Sequence, residues 1–363
     1  MSLALRDGSE KRLRELDGWR AVSVLFVILH HIAGYQHRRL VSQFSFLDLR
    51  VSHIGPLGVD IFFVISGFVI CRILVLEELR YGSVSLKGFY CRRIFRILPP
   101  FYIYLAALSA LLCLGLIHES WRAILCSALF LFDIKGTPSS WFVGHTWSLA
   151  LEEQFYLIFP TMWVLTPKSW KGQVFLGVFF LISAWNLSMV YTKWDTLTSA
   201  HTRVGFGCIC CGVLMAIYEA RVRALANAVP AFIVAAVALT LLLHPVGSAN
   251  AKTALYESLF VPPAIGLVLL FSLGRGRWLQ AFLRSKPMQA IGLTSYGIYL
   301  WQQLFTAPKT YFSGVAVIIS LLLPLLCLIV PLSYSLIEKP MLSYGKSLSR
   351  RTVDVKTDVR VTA

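Results

Sequence analysis

Apolar windows of about 17–25 residues recur through almost the whole 363-residue chain, and short basic segments separate them. The windows fall at 19–37, 56–79, 97–117, 145–165, 173–191, 204–220, 228–244, 256–273, 288–306 and 314–337. A segment of that length and apolarity is stable as a helix in lipid, because a helix satisfies its own backbone polar groups. The pattern therefore predicts an all-α, polytopic membrane protein of about ten transmembrane helices. Composition agrees: 57% of the residues are hydrophobic and only 14% are charged.

The net charge of +16 is concentrated between the windows. Lys and Arg cluster at Arg80 to Arg96, Lys168 and Lys171, Arg221 and Arg223, Arg275 to Lys286, and Lys339 to Arg360. The positive-inside rule puts such segments in the cytoplasm. With an even number of spans, both termini are then cytoplasmic. The expected division is one transmembrane domain over residues 1–340 and a basic, disordered cytoplasmic tail over residues 341–363. Nucleic-acid binding needs a coherent soluble basic face, and the sequence has none. No cleavable signal peptide is visible, so the first helix is expected to act as anchor and signal together.

Two segments fit less simply. Residues 121–134 are apolar but too short to cross, and are expected to form a re-entrant or surface helix. Arg38, Arg39 and Arg50 lie in the first outer loop, where they can meet lipid phosphates or an anionic acceptor. The eight cysteines follow no disulfide or metal spacing; Cys208, Cys210 and Cys211 read as small packing residues of an apolar helix. No metal is expected.

Against this background, ionisable residues inside the windows mark function, because charge in a bilayer is costly. Arg20 and His31 are eleven residues apart. At about 100° and 1.5 Å per residue they share one helical stripe, separated by roughly 16 Å along the axis. Asp60, Glu152 and Glu153 lie in the second and fourth windows at a depth estimated as similar to that of His31. A histidine with a carboxylate at its far nitrogen is a positioned base, so Asp60 or Glu152 is expected to orient His31. The adjacent His30 points about 80° away from the Arg20 stripe. Arg93 and Arg96 are one turn apart at the cytoplasmic foot of the third window, where arginine forks bind phosphate oxygens. Ser66 and Gly67 are small residues that let helices approach. Neither Ser66 nor Ser148 has the setting of a nucleophile. Intramembrane charges at one depth also suit a proton-coupled transporter or exporter of a small molecule or glycan, the alternative function class.

These strings, taken in order, resemble the acyltransferase 3 family of membrane acyltransferases. That family includes O-antigen and exopolysaccharide O-acetyltransferases and nodulation-factor acetyltransferases. The matching strings are Leu16-Asp17-Gly18-Trp19-Arg20-Ala21, the Arg20 and His31 pair, Gly58 to Phe68, and Arg93 with Arg96. They continue with Thr146-Trp147-Ser148-Leu149-Ala150-Leu151-Glu152-Glu153-Gln154-Phe155-Tyr156, Ser295 to Trp301, and Ile337-Glu338-Lys339-Pro340. The resemblance implies transfer of an acyl group, acetyl by expectation, from cytosolic acyl-CoA to a hydroxyl of a carbohydrate or glycolipid at the outer side of a bacterial inner membrane. It implies essential roles at Arg20, His31, Arg93 and Arg96, and places Glu152 in a signature motif. His31 then acts as a base or carries the acyl group briefly. One position departs from the family pattern: many members carry histidine after Tyr299-Leu300-Trp301, where this chain has Gln302. Some members also carry an SGNH-type esterase-like domain, which is not expected in these residues.

Overall fold

A computed structural model describes residues 13–36, 45–134, 136–192, 200–243 and 251–349. Arg38, Arg39, the side chain of Arg50 and the expected tail beyond residue 349 lie outside the described residues. Among the described residues the chain is helical, with no strand and one isolated bridge between Ile117 and Phe312.

The helices are α1 (Arg14–Gln36), α2 (Ser45–Tyr81), α3 (Leu86–Cys113), α4 (Trp121–Ala128), α5 (Thr146–Leu165), α6 (Lys171–Thr192), α7 (Ala200–Ile217) and α8 (Glu219–Ala228). They continue with α9 (Ala231–Leu243), α10 (Ala251–Leu255), α11 (Val261–Gly274), α12 (Arg277–Leu283), α13 (Lys286–Leu293), α14 (Ser295–Phe305) and α15 (Leu326–Ser333). Each expected apolar window falls mainly on helix. Four helical stretches are long and apolar enough to cross a membrane: Ile54–Tyr81, Leu86–Cys113, Lys252–Gly274 and Leu323–Ser349. A fifth results if α7 and α8, bent by 96° against each other, count as one span. The helices outside this set include α1 and α5, whose apolar runs are interrupted by the ionisable residues that build the site. The 288–306 window is divided at Thr294 into α13 and α14.

Residues 341–349, assigned to the tail on sequence, continue the last helix, and Ser349 is buried against Arg92. The amphipathic contact of Gly345 with Phe95 and the edge contact of Phe95 with Tyr344 hold this turn on α3. In the 121–134 segment only eight residues are helical, started by Ser120, whose hydroxyl accepts the Arg122 amide at 3.2 Å. That is about 12 Å of helix, far short of a bilayer core.

Small residues set the central packing. α2 and α7 cross where Gly67 faces the Ile209 carbonyl and Gly212 faces the Val64 carbonyl; a Cβ at either glycine would collide with backbone. Gly18 and Gly292 do the same where α1 meets the α12–α13 turn. Cys208, Cys210 and Cys211 are buried with free thiols on α7. Proline occurs inside α2, α3 and α5 (Pro56, Pro99, Pro100, Pro160), which membrane bundles tolerate because neighbours satisfy the freed backbone groups.

Ion pairs gather at one end of the bundle, where α1 begins and α2 ends. Lys171 meets Glu78 at 2.7 Å, Arg72 and Arg223 share Glu219 at 3.1 and 2.7 Å, and Arg92 meets Glu77 at 3.0 Å. Arg284 pairs with Glu15 at the same end.

Candidate active site

Two cavities are stacked along α1. The outer one, about 420 Å³, is lined by His30, His31, Asp60, Trp141, His145 and Tyr299 among others. The inner one, about 100 Å³, is lined by Arg20, Ser66, Arg93, Arg96, Glu152 and Tyr156 among others. Val59 of α2 and Tyr299 of α14 line both. The Arg20 and His31 stripe of α1 thus supplies one group to each chamber, as their axial offset of roughly 16 Å requires.

In the outer cavity, His31 Nδ1 lies 3.1 Å from Gln302 Oε1. Gln302 in turn donates from Nε2 to Gln303 Oε1 at 2.8 Å. The imidazole edge packs against Trp141 at 5.7 Å and His30 at 5.3 Å between ring centroids. Trp141 is fixed by its indole N–H, which donates to the Gln303 carbonyl at 3.1 Å. Asp60 lines the cavity but makes no hydrogen bond to His31. Its carboxyl meets the Cys208 thiol, and its charged neighbour is Glu257.

In the inner cavity three guanidinium groups face one carboxylate: Glu152 interacts with Arg20, Arg93 and Arg96. Arg20 also has Asp17 at 4.0 Å. Arg93 stacks over Tyr156 at 5.1 Å and Phe89 at 5.7 Å from the ring centroids. Among the described residues neither Arg93 nor Arg96 has a carboxylate within 4.0 Å. Two half-buried cations without a close counter-ion among the described residues are costly in a protein interior. Ser66 is not free to act alone, because its hydroxyl lies 2.5 Å from the Tyr156 hydroxyl.

The wall between the chambers is hydrogen-bonded. The Tyr299 hydroxyl donates to the His145 carbonyl at 2.8 Å and meets the Ser148 hydroxyl at 2.6 Å.

The structure therefore redistributes the expected carboxylates. Asp60 shares a cavity with His31, whereas Glu152 sits with the arginines. His145 lies immediately before α5 in the outer cavity, and Glu152 comes seven residues later, about 10 Å deeper. Equal depth would require residue 145 to mark the outer end of the span, but His145 itself lines the same cavity as His31. The partner of His31 is Gln302, the position at which the sequence departs from the family pattern.

Three further cavity residues carry no role in the sequence reading. His145 is buried, and neither ring nitrogen has a hydrogen-bond partner. An ionisable residue at the mouth of an apolar window was its available signal. Tyr299 lay inside a quoted string without a role, and Trp141 carried no signal beyond its aromaticity. Arg92, adjacent to Arg93, is taken up by Glu77 and Ser349 and does not line either cavity.

With this geometry in place, comparison with known proteins is decisive at the family level. The profile of the acyltransferase 3 family, described as an acyltransferase domain, matches residues 13–338. The chain belongs to that family. It is 28% identical, over 93% of its length, to a putative peptidoglycan O-acetyltransferase of Bacillus subtilis, of which it covers 56%. It is 27% identical, over 81% of its length, to a peptidoglycan O-acetyltransferase of Listeria monocytogenes, of which it covers 49%. A putative O-acetyltransferase of Staphylococcus aureus is 31% identical over 53% of the chain and 31% of its own length. The chain thus spans about half the length of the two longer-matching relatives. No solved structure matches it.

Proposed function

We propose that this acyltransferase moves an acetyl group from cytosolic acetyl-CoA to a hydroxyl of an envelope carbohydrate or glycolipid across a bacterial inner membrane. The observation that carries the reading is the stacking of an arginine-walled cavity directly beneath a histidine-bearing one, with Val59 and Tyr299 in common. An anionic donor head and an uncharged reacting end need such a pair of environments. Arg93 and Arg96 hold the phosphates through charge-assisted hydrogen bonds, and Arg20 screens the charge with them. The pantetheine arm passes Tyr299 and brings the thioester to His31. His31 removes the acceptor hydroxyl proton as the oxygen attacks, a general-base role that contributes typically 10²–10⁴-fold. Asp60 adds a polar group to the lining of that cavity, and Glu152 offsets the mutual repulsion of the inner arginines when no donor is bound.

In this reading the ion-paired end of the bundle is cytoplasmic, following the positive-inside rule. About ten spans then place both termini of residues 1–340 on that side, with residues 341–363 as a cytoplasmic extension. The glycan acceptor is supported by the names of the Bacillus and Listeria relatives.

The test is reconstitution. Purified protein in liposomes is given acetyl-CoA on one face and oligosaccharides from the cell envelope on the other. The expected result is free thiol on the donor side and a glycan heavier by one acetyl group on the acceptor side. Neither thiol release nor acetylation across a panel of envelope glycans would overturn the proposal. Substrate accumulation without chemistry would establish the transporter alternative instead.

A further inference from the structure

Gln303 lines the outer cavity and is nearly buried, and Gln302, behind the His31 ring, is fully buried. A primary amide inside a membrane protein is retained against a desolvation cost of roughly 1–3 kcal/mol per unsatisfied group. Here the two amides are spent on one chain of hydrogen bonds that ends on the His31 ring. Gln302 Nε2 is committed to Gln303 Oε1 at 2.8 Å. Its other amide atom, Oε1, therefore faces His31 Nδ1 at 3.1 Å and also receives Thr306 Oγ1 at 3.4 Å. The Thr306 hydroxyl and amide both bond back to the Gln302 carbonyl at 2.9 Å, which holds the whole turn of α14 in place.

A carbonyl oxygen only accepts. We infer that Gln302 is a positioning residue that fixes neutral His31 with its proton on Nδ1, so that Nε2 is the base. This rests on the acyl-transfer reading only for its consequence, not for its geometry. Imidazole in water prefers the opposite tautomer, with the proton on Nε2 and no lone pair there. A ring left to that preference would present a donor to the acceptor hydroxyl and could not take its proton. With the Gln302 lock, the steps balance on one ring atom. Nε2 takes the hydroxyl proton, the oxygen bonds to the thioester carbon, the carbon–sulfur bond breaks, and the departing thiolate receives the same proton from Nε2. Nδ1 keeps its proton throughout.

An amide suits this task for a reason that a carboxylate would not share. Gln302 accepts from Nδ1–H without adding charge, so it orients the ring while favouring the imidazolium less than a carboxylate would, and the proton can still pass to the departing thiolate. Its inability to titrate is thus what the position uses.

The experiment is nitrogen NMR of ¹⁵N-histidine-labelled protein in lipid nanodiscs, with the His31 signals identified by their loss in His31→Asn. Wild type is expected to show the Nδ1-protonated neutral form. Gln302→Met, close in volume and without the amide, is expected to show the Nε2-protonated form or a mixture. Its kcat is expected to fall about 10–100-fold, the usual range for losing a residue that orients a reactive histidine, with the KM for acetyl-CoA unchanged. Should Gln302→Met not fold, Gln303→Met frees the Gln302 amide to reverse and is expected to give a tautomer mixture. An Nε2-protonated wild type overturns the inference. So does a folded Gln302→Met variant that keeps the wild-type tautomer, or one with kcat within twofold of wild type. The NMR arm needs no turnover, so failure of the acetyl-transfer proposal leaves it readable.

Discussion

The two cavities differ in charge, in size and in how their polar groups are satisfied. The inner one gathers three guanidinium groups around Glu152 in about 100 Å³, with Arg93 and Arg96 lacking a close carboxylate. The outer one is about four times larger, and its key ring is held by a neutral amide chain. Fixed charge without a partner attracts a ligand of opposite sign and says little about chemistry. A neutral ring held in one orientation does little for affinity but decides where a proton goes. On the proposed function, that contrast puts binding in one chamber and reaction in the other.

That division can be broken by substitution, beginning with the largest effect. His31→Ala is expected to reduce acetyl transfer by at least about 10²-fold, the lower end for loss of a general base. Its KM for acetyl-CoA is expected to stay near wild type, measured by thiol release in liposomes. A large KM change instead would mean that the outer chamber also binds the donor head. Arg93→Ala with Arg96→Ala is expected to do the converse. Each lost charged hydrogen bond is worth about 1.5–3 kcal/mol, so the double variant should raise the donor KM by at least about tenfold. Turnover at saturation should be nearly preserved, and lysine replacements should recover only part of the loss, because they lack the bidentate fork. Arg92→Ala is the smallest and sharpest comparison. Arg92 is adjacent in sequence but is half-buried against Glu77 and Ser349 instead, where a charged hydrogen bond is worth about 1.5–3 kcal/mol. The donor KM should not move, and the melting temperature should fall by only a few degrees.

The sequence carried the all-helical class of fold and most of the ionisable residues that line the two cavities, and the reasons differ by residue. Arg20, His31, Arg93 and Arg96 were legible because charge inside apolar helices is conspicuous and because helical periodicity fixes which residues share a stripe. Gly67 was legible as a close-approach position, and the structure sets it against the Ile209 backbone. The pairing of His31 was not legible. Gln302 lies 271 positions away, and no local rule connects α1 to α14. The choice of a carboxylate partner followed charge, whereas the structure satisfied the ring with an uncharged acceptor. The start of α5 was legible to within one residue, but the depth at which that start sits beside His31 is a tertiary fact that apolarity does not carry. Likewise the last helix runs through residue 349 although its final turns are polar, because Gly345 and Tyr344 pack on Phe95.

The notch at Gly67 and Gly212 has a bearing on how this protein tolerates change. α2 contributes Asp60 to one chamber, Ser66 to the other and Val59 to both, all within about two turns of that notch. A side chain added there would pry α2 from α7 and tilt a helix that walls both. Gly67→Leu, some distance from any reacting atom, should therefore disturb donor affinity and turnover together, beyond an overpacking cost of about 1–3 kcal/mol read as lost thermal stability. The place where the enzyme is most fragile is a contact between two backbones that touch neither substrate.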